Sequence, residues 1–227
     1  MEGSVSAAPR RAGQYAAERH QRGLRSFRRR FYRQVGVTLV FVAVAELLLA
    51  LYMDSFFSWI VFSFVAGGVV TSIWILRQLP PDHVRRWGDG AWGEQQTAKA
   101  LEPLEQAGWT AEHDIELDRG GNIDHLVQSP KGKRFVLETK TLNGEIRVEN
   151  GLLVCTQLDD HDQVYRHSRL RHAVLERARL LYRERPGGWV QGVVVIWGDF
   201  PQRRVENGKL AFVHGEELDP WLRERAS

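Results

Sequence analysis

One cysteine, Cys155, is all that the chain contains. That count excludes an intrachain disulfide and any zinc site made of several thiolates. Cys155 alternates with apolar residues between Leu152 and Thr156, the setting of a small buried hydrophobe rather than a nucleophile. Eight histidines are present, but none stands in a His-Glu-x-x-His or comparable ligand spacing. A histidine metal centre is therefore not expected, and His125 reads as a packed structural side chain. A broad excess of one charge is also missing. Lys and Arg number 31 against 28 Asp and Glu, and from Arg77 onward 22 basic residues face 24 acidic ones. Proteins that hold nucleic acid over a wide face are basic there, because neutralised phosphates supply most of the affinity. The second part of the chain does not have that balance. A local patch is still open to it through Arg166, Arg169, Arg171, Arg177, Arg179, Arg183 and Arg185, which otherwise form the solvated side of a helix. No motif that reads base edges is visible, so any polynucleotide partner would be recognised by its backbone phosphates.

Apolar length is plentiful near the start. Residues 1–34 carry nine arginines against Glu2 and Glu18 and read as a basic arm, with helix open to Gln14–Arg33. Val35–Met53 follows, 19 residues with one charge, and then Phe56–Leu76, 21 residues with none. A bilayer-spanning helix needs about 20 apolar residues, so two spans at 35–53 and 56–76 are expected to form a transmembrane hairpin turning at Asp54-Ser55. A signal peptide fits poorly, because the basic region is long, no small-residue cleavage site follows and a second span comes at once. Arginines before the first span, with Arg77, Arg85 and Arg86 after the second, put both termini and the following domain on the cytoplasmic side of the cell (inner) membrane. The lipid bilayer is then a partner, and Gly67-Gly68 would allow close helix packing, including with a second copy of the chain. Glu46 is the anomaly in the first span. A mid-bilayer carboxylate costs about 2.5 to 3.5 kcal/mol on insertion scales; it is read as protonated and bonded to Ser63, Thr71 or another chain's helix, or else as a tolerated shielded acid. Residues 77–86, with Leu79-Pro-Pro-Asp-His inside them, form the linker to a domain at 87–227.

The chemistry is concentrated between Gly121 and Lys140. Ile123–Gln128 and Arg134–Thr141 are apolar and β-branched, and Ser129-Pro130-Lys131-Gly132 between them is turn chemistry. The two strands pair as a hairpin. Side chains alternate along a strand, so Glu138 and Lys140 share a face while Phe135, Leu137 and Thr139 take the other. Asp124, at the start of the partner strand, is within reach of Glu138. Two carboxylates at a sheet end are hard oxygen ligands of the kind Mg²⁺ takes, with positions left for water and a substrate phosphate. A lysine beside them can orient the water or neutralise developing charge. Metal-assisted hydrolysis of a phosphodiester, with Mg²⁺ or Mn²⁺, is the reaction that suits such a group.

Asp, followed about a hairpin later by Glu-x-Lys, is similar to the core signature of the PD-(D/E)XK nuclease superfamily. A closer resemblance rests on Gly90-Ala-Trp-Gly-Glu94, on Gly121-Asn-Ile-Asp-His-Leu-Val127 and on Leu137-Glu-Thr-Lys-Thr-Leu-Asn-Gly-Glu145. Together these resemble the nuclease-related domain, NERD, from about Trp87 to Trp197. The resemblance implies an α/β (α+β) restriction-endonuclease-like core, a mixed sheet flanked by helices. It also implies that Glu94, Asp124, Glu138 and Lys140 stand at motif positions. Asp124 and Glu138 would hold the metal with the Thr139 carbonyl, Lys140 would position water, and Glu94 would assist the metal or hold Lys140. Glu94 otherwise only favours the dipole of its helix's first turn. DNA over RNA is implied by the superfamily alone. The chain departs from the family where members carry Asn-Pro-x-x-Gln at a helix start: here His161-Asp-Gln-Val-Tyr-Arg166 stands, with Gln163 or Arg166 as substitutes in nucleic-acid binding.

Around the motif the expected order is a helix at Glu94–Ala107, kinked or restarted at Pro103 and stopped by Gly108; a strand at Trp109–Leu117; and a loop at Asp118-Arg-Gly-Gly. Asn143-Gly144 reads as a hairpin turn to Glu145–Val148, and Asn150-Gly151 as another to Leu152–Thr156. A long helix at Asp162–Arg185, a buried strand at Val190–Trp197, a short strand at Lys209–His214 and a helix at Glu216–Arg225 complete it. A membrane-anchored nuclease is the leading expectation. Its rival is a tethered nucleic-acid-binding or scaffold module without turnover; a third reading makes the helical hairpin and Glu46 a sensor.

Overall fold

The computed structural model describes residues 12–52, 55–78, 82–117, 122–157 and 163–227. Of the expected features, the start of the arm, the turn at Asp54, the linker at 79–81, the loop at 118–121 and His161-Asp162 lie outside these residues. In chain order the elements are helices α1 (Gln14–Tyr52), α2 (Ser55–Gln78) and α3 (Asp82–Gln106), then strands β1 (Thr110–Glu116), β2 (Asn122–Gln128), β3 (Arg134–Glu149), β4 (Leu152–Thr156) and β5 (Val164–Arg166). Helix α4 (Leu170–Glu184), strands β6 (Val190–Asp199), β7 (Arg204–Asn207) and β8 (Leu210–His214), a 3-10 turn at Gly215–Glu217 and helix α5 (Leu218–Ala226) follow. Two compact units divide the chain. One is Glu18–Gly88; the other is Asp89–Ser227 together with the start of α1 through Ala17.

In the first unit, helix runs unbroken through the expected arm and first span, so Gln14 and Tyr52 belong to one 39-residue helix. Among the described residues no helix is long and apolar enough to cross a membrane, and the expected transmembrane hairpin is not supported by them. The side chains at 46, 49, 50, 52–59, 62 and 75–83, Glu46 included, lie outside the description, and they interrupt both expected spans.

The second unit is a mixed sheet of eight strands. Its order is β1-β2-β3-β6-β8-β7, with β4 added to β3 and β5 to β4. Strands β3, β6 and β8 run parallel, the remaining pairs antiparallel. On one face Leu101 and Leu104 of α3 and Leu218, Trp221 and Leu222 of α5 pack on Val127, Phe135, Leu137, Val193 and Val213. On the other, Leu170 and Val174 of α4 cover Ile146, Leu153, Val194 and Phe212, while Ala178 and Leu181 cover Ile123, Leu126 and Val136. Burial of each such side chain stabilises by about 1.5 to 3 kcal/mol. With a helix layer on each side, β6 is apolar at every position from Val193 to Ile196, as its unbroken hydrophobic run requires.

Three local expectations need correction. Helix α3 begins at Asp82 rather than Glu94 and runs through Pro103 to Gln106, where a lost bond in the last turn costs least before Gly108 (φ 85°) ends it. Asn143-Gly144 is no hairpin turn. Strand β3 continues through it for 16 residues, pairing with β6 to Thr141 and, after a register shift, again at Glu145, from which it also pairs with β4. Gly144 holds φ 144°, and a Cβ there would overlap the Thr156 carbonyl, so this is a bulge that only glycine makes comfortably. Finally, the long helix starts at Leu170, not Asp162: Val164–Arg166 pairs with the outer edge of β4 instead. The Asn150-Gly151 turn, with both residues at positive φ, does join β3 to β4 as expected.

Candidate active site

Antiparallel pairing of β2 with β3 sets His125 opposite Leu137 and leaves Asp124 at the end of the paired segment, beside Thr139. The Thr139 amide donates to Asp124 Oδ2 at 2.8 Å. Both side chains of the Glu-x-Lys pair emerge on the α4 face, as alternation requires, and Lys140 Nζ lies 2.7 Å from Glu138 Oε1. The second Glu138 oxygen accepts from Arg177 of α4. Asp124 and Glu138 are buried, whereas the Lys140 side chain keeps 30% of its surface exposed. An acid from each strand and two cations therefore meet at a partly open site.

Glu94 enters from α3. Because that helix starts twelve residues earlier, Glu94 is in its interior and the first-turn dipole reading does not hold. Its position depends on close packing: a Cβ on Gly93 would overlap Thr141 Oγ1 and stand 3.1 Å from Thr139 Cγ2. Thr97, one turn on, is buried and hydrogen-bonded to Thr139 Oγ1 at 3.0 Å and to Trp197 Nε1 at 2.9 Å. These contacts tie α3 to β3 and β6 at the level of the site.

The electrostatics are those of an acid cluster short of positive charge. Burial, followed by repulsion from Asp124, Asp114 and Glu138, raises the Glu94 carboxyl to about 8 even though Lys140 opposes the shift. Burial and then Glu138 raise Asp124 to about 7, against Lys140, the Thr139 amide and Arg177. For Lys140 burial works against the charge, but Glu138 and Asp124 outweigh it and hold the ammonium above its usual range. Glu94 Oε2 is buried without a hydrogen-bond partner among the described residues. Acids that repel one another, one with an orphaned oxygen, fit a divalent cation between them. Among the described residues no three His, Cys, Asp or Glu side chains form a group able to hold a metal alone. Mg²⁺ does not need one, since it is usually held by one or two carboxylates plus water and substrate phosphate.

Three participants were not singled out in the sequence. Arg177 is one of seven arginines on its stretch, and only the approach of α4 to β3 distinguishes it. His167 lies near Lys140, which together with burial lowers its pKa, and its Nε2 is buried without a partner among the described residues. Asp114, buried at φ 51°, accepts from the Tyr15 amide at 3.0 Å and from Asn122 Nδ2 at 3.3 Å, so it caps the start of α1 while adding negative charge near Glu94. Its φ is tolerable because Asp is among the few residues that adopt it readily. Gln163 and Arg166, by contrast, are not brought to the cluster. They lie exposed on or beside edge strand β5, where Gln163 Oε1 accepts from Tyr165. His125 is the packed side chain expected: it is buried, hydrogen-bonded Nδ1 to Nδ1 with His113 at 2.7 Å, and driven to about 3 by burial and that neighbour. Cys155 is likewise buried.

Residues 89–197 match the model of the nuclease-related domain, NERD, close to the stretch that carries the sequence resemblance. No curated protein and no solved structure matches the chain.

Proposed function

We propose, from the nuclease-related domain at residues 89–197, that this chain is a membrane-tethered, divalent-metal-dependent nuclease acting on nucleic acid, DNA in preference to RNA. The observation that carries the reading is the meeting of Asp124, Glu138 and Lys140 on adjacent strands, with the buried Glu94 carboxyl of α3 repelled by both acids. Asp124 and Glu138, with the Thr139 carbonyl, would hold Mg²⁺ or Mn²⁺. Such an ion would supply a more acidic bound water and positive charge toward the phosphate. Lys140, the more exposed member, orients the attacking water or donates to a phosphate oxygen. Glu94, whose carboxyl burial and the neighbouring acids raise in the metal-free site, would assist the metal or hold Lys140, and the departing sugar oxygen takes its proton from solvent. Water adds to phosphorus, and the bond from phosphorus to that oxygen breaks.

The tether reading is supported by exposed apolar side chains. Val40, Phe41, Leu47, Leu48 and Leu51 on α1, and Phe64, Val70 and Trp74 on α2, are all exposed, a surface that water-facing helices rarely carry. A bilayer would cover it, with the arginine-rich flanks and the nuclease-related domain on the cytoplasmic side. Gly67 and Gly68 have nothing within 4 Å of an added Cβ among the described residues, which leaves that face of α2 open to a helix of a second copy.

The full-length chain, assayed on linear and circular DNA and on RNA with Mg²⁺ or Mn²⁺ beside Asp124→Ala and Lys140→Ala, tests the nuclease. Metal-dependent cleavage absent from both variants supports it. Binding without cleavage in any form favours a non-catalytic scaffold, for which the observation is that Lys140 and Arg177 already occupy both oxygens of Glu138. Release of the chain from membranes by alkaline carbonate would remove the tether.

A further inference from the structure

A second cluster of cations stands at the Arg134 end of β3, four residues and roughly 13 Å along the strand from Glu138. A groove of about 410 Å³ is lined there by Lys131, Lys133, Arg134, Trp189, Gln191 and Arg225, among others. Arg147, Arg177, Arg185, Arg203, Arg204, Arg223 and Arg225 of the α/β unit each pair with a carboxylate. Among the described residues the groove's Lys133 and Arg134 and the neighbouring Lys209 have no Asp or Glu partner.

Arg134 is the built element. Its guanidinium is buried, donates to the carbonyls of Arg185 and Gly188 at 2.7 Å each, and leaves Nε without an acceptor among the described residues. A Cβ on Gly187 would come within 3.0 Å of that guanidinium, so the Pro186-Gly187-Gly188 turn is shaped around it. Neutral carbonyls orient the group but do not balance its charge. Lys131 and Lys133 Nζ donate to the main-chain oxygens of Ser227 and Arg225 at 3.1 and 2.9 Å. Above them the Trp189 ring is 59% exposed, with Lys209 Nζ 4.8 Å from its centre. Unbalanced positive charge beside an exposed aromatic plane is the combination that holds a single strand, phosphate on the cations and base on the ring.

We propose that this groove binds the phosphodiester backbone of single-stranded nucleic acid, with a base against Trp189, apart from the acid cluster. The proposal rests on the nuclease reading for its choice of polyanion.

The test uses the full-length chain in detergent, without metal, and a short fluorescent single-stranded deoxyoligonucleotide read by anisotropy across a salt series. Lys131, Lys133 and Trp189 are exposed, so the double variant Lys131→Glu/Lys133→Glu and the variant Trp189→Ala leave the core intact. The double variant is expected to lose tenfold or more in affinity at low salt, with the slope of log affinity against log salt shallower by about 1.4. Trp189→Ala is expected to lose roughly tenfold with the slope unchanged. Oligonucleotide affinity unchanged in both groove variants overturns the proposal, as does binding to phosphatidylglycerol vesicles with none to the oligonucleotide. Cleavage that survives alongside such a result leaves the nuclease standing; lost binding in a chain that never cleaves leaves the groove standing and removes the nuclease.

Discussion

The Thr139 amide donates its hydrogen bond to Asp124 Oδ2 across the strand pair, at 2.8 Å. A backbone donor of β3 thus fixes the carboxylate of β2, and the residues on either side of that donor are Glu138 and Lys140. The three functional groups move as one unit with the β2–β3 pairing. Their geometry is set by sheet register, which a single side-chain change cannot slip.

Asp124→Asn preserves this shape and the amide's acceptor while removing the negative charge. Cleavage is expected to fall by about a thousandfold or more, with metal-dependent binding of substrate lost in parallel, because effects of this size follow loss of groups that stabilise transition-state charge. Near-normal cleavage by a folded Asp124→Asn protein would remove this residue from the site.

The raised acids also give the fold a pH signature. Glu94 and Asp124 sit at about 8 and about 7 in the metal-free protein, well above carboxyls in the unfolded chain. Between those limits the folded state keeps protons that the unfolded state has released. The associated stability is fully present below the unfolded carboxyl range and is lost as pH rises through about 7 to 8, at no more than about 1.4 kcal/mol per pH unit for each group. Thermal unfolding in EDTA should therefore show a melting temperature that falls from mildly acid to mildly alkaline pH. Glu94→Gln with Asp124→Asn should flatten it. A melting temperature that instead climbs over this range would contradict the acid-cluster electrostatics.

Lys140→Ala should cut turnover by about a hundredfold or more while sparing the fold. It removes the cation that holds down the carboxyls of both Glu94 and Asp124. The residual rate should accordingly reach its half-maximum at a higher pH than in the unaltered chain. An unchanged pH–rate profile would separate Lys140 from the two acids.

How far the sequence reveals this arrangement depends on the range of the contact. Asp124, Glu138 and Lys140 are legible because strand alternation and one short turn decide their faces. The role of Arg177 is not: seven arginines share its stretch, and the one that meets Glu138 is chosen by the seating of α4 on β3. Asn143-Gly144 carries strong turn chemistry, yet the partner that keeps β3 extended, β6, comes some fifty residues later. The run at Gln163–Arg166 has helix-compatible spacing but finds an unpaired edge on β4. Glu94 is legible as an acid of the motif, while its place inside a longer helix depends on the residues after Pro81, which begin α3 at once.

Arg177 competes with a metal for Glu138. Its guanidinium takes one carboxylate oxygen and brings a positive charge into the site. Arg177→Ala should raise the apparent affinity for Mg²⁺ or Mn²⁺ by about tenfold, the effect of roughly 1.4 kcal/mol. Isothermal titration with the metal alone reads this directly. Weaker metal binding in the variant would mean that Arg177 holds Glu138 in its binding position instead.

Two glycines of the Gly90-Ala-Trp-Gly-Glu94 stretch separate packing from motif. Around Gly90 no described atom lies within 4 Å of an added Cβ, whereas at Gly93 that atom would overlap Thr141 and crowd Thr139. Both positions are helical, so alanine improves local propensity at each by about 1 kcal/mol. At Gly90 nothing opposes the gain, and Gly90→Ala should be as stable as the unaltered chain or slightly more so, with full activity. At Gly93 the helix must withdraw from β3, at a cost of about 1 to 3 kcal/mol for overpacking. That withdrawal carries Glu94 away from Asp124, so Gly93→Ala should lose both stability and cleavage. Denaturant unfolding and cleavage rates of the two variants decide the matter. Equal behaviour would show that the approach of α3 to β3 does not govern the position of Glu94.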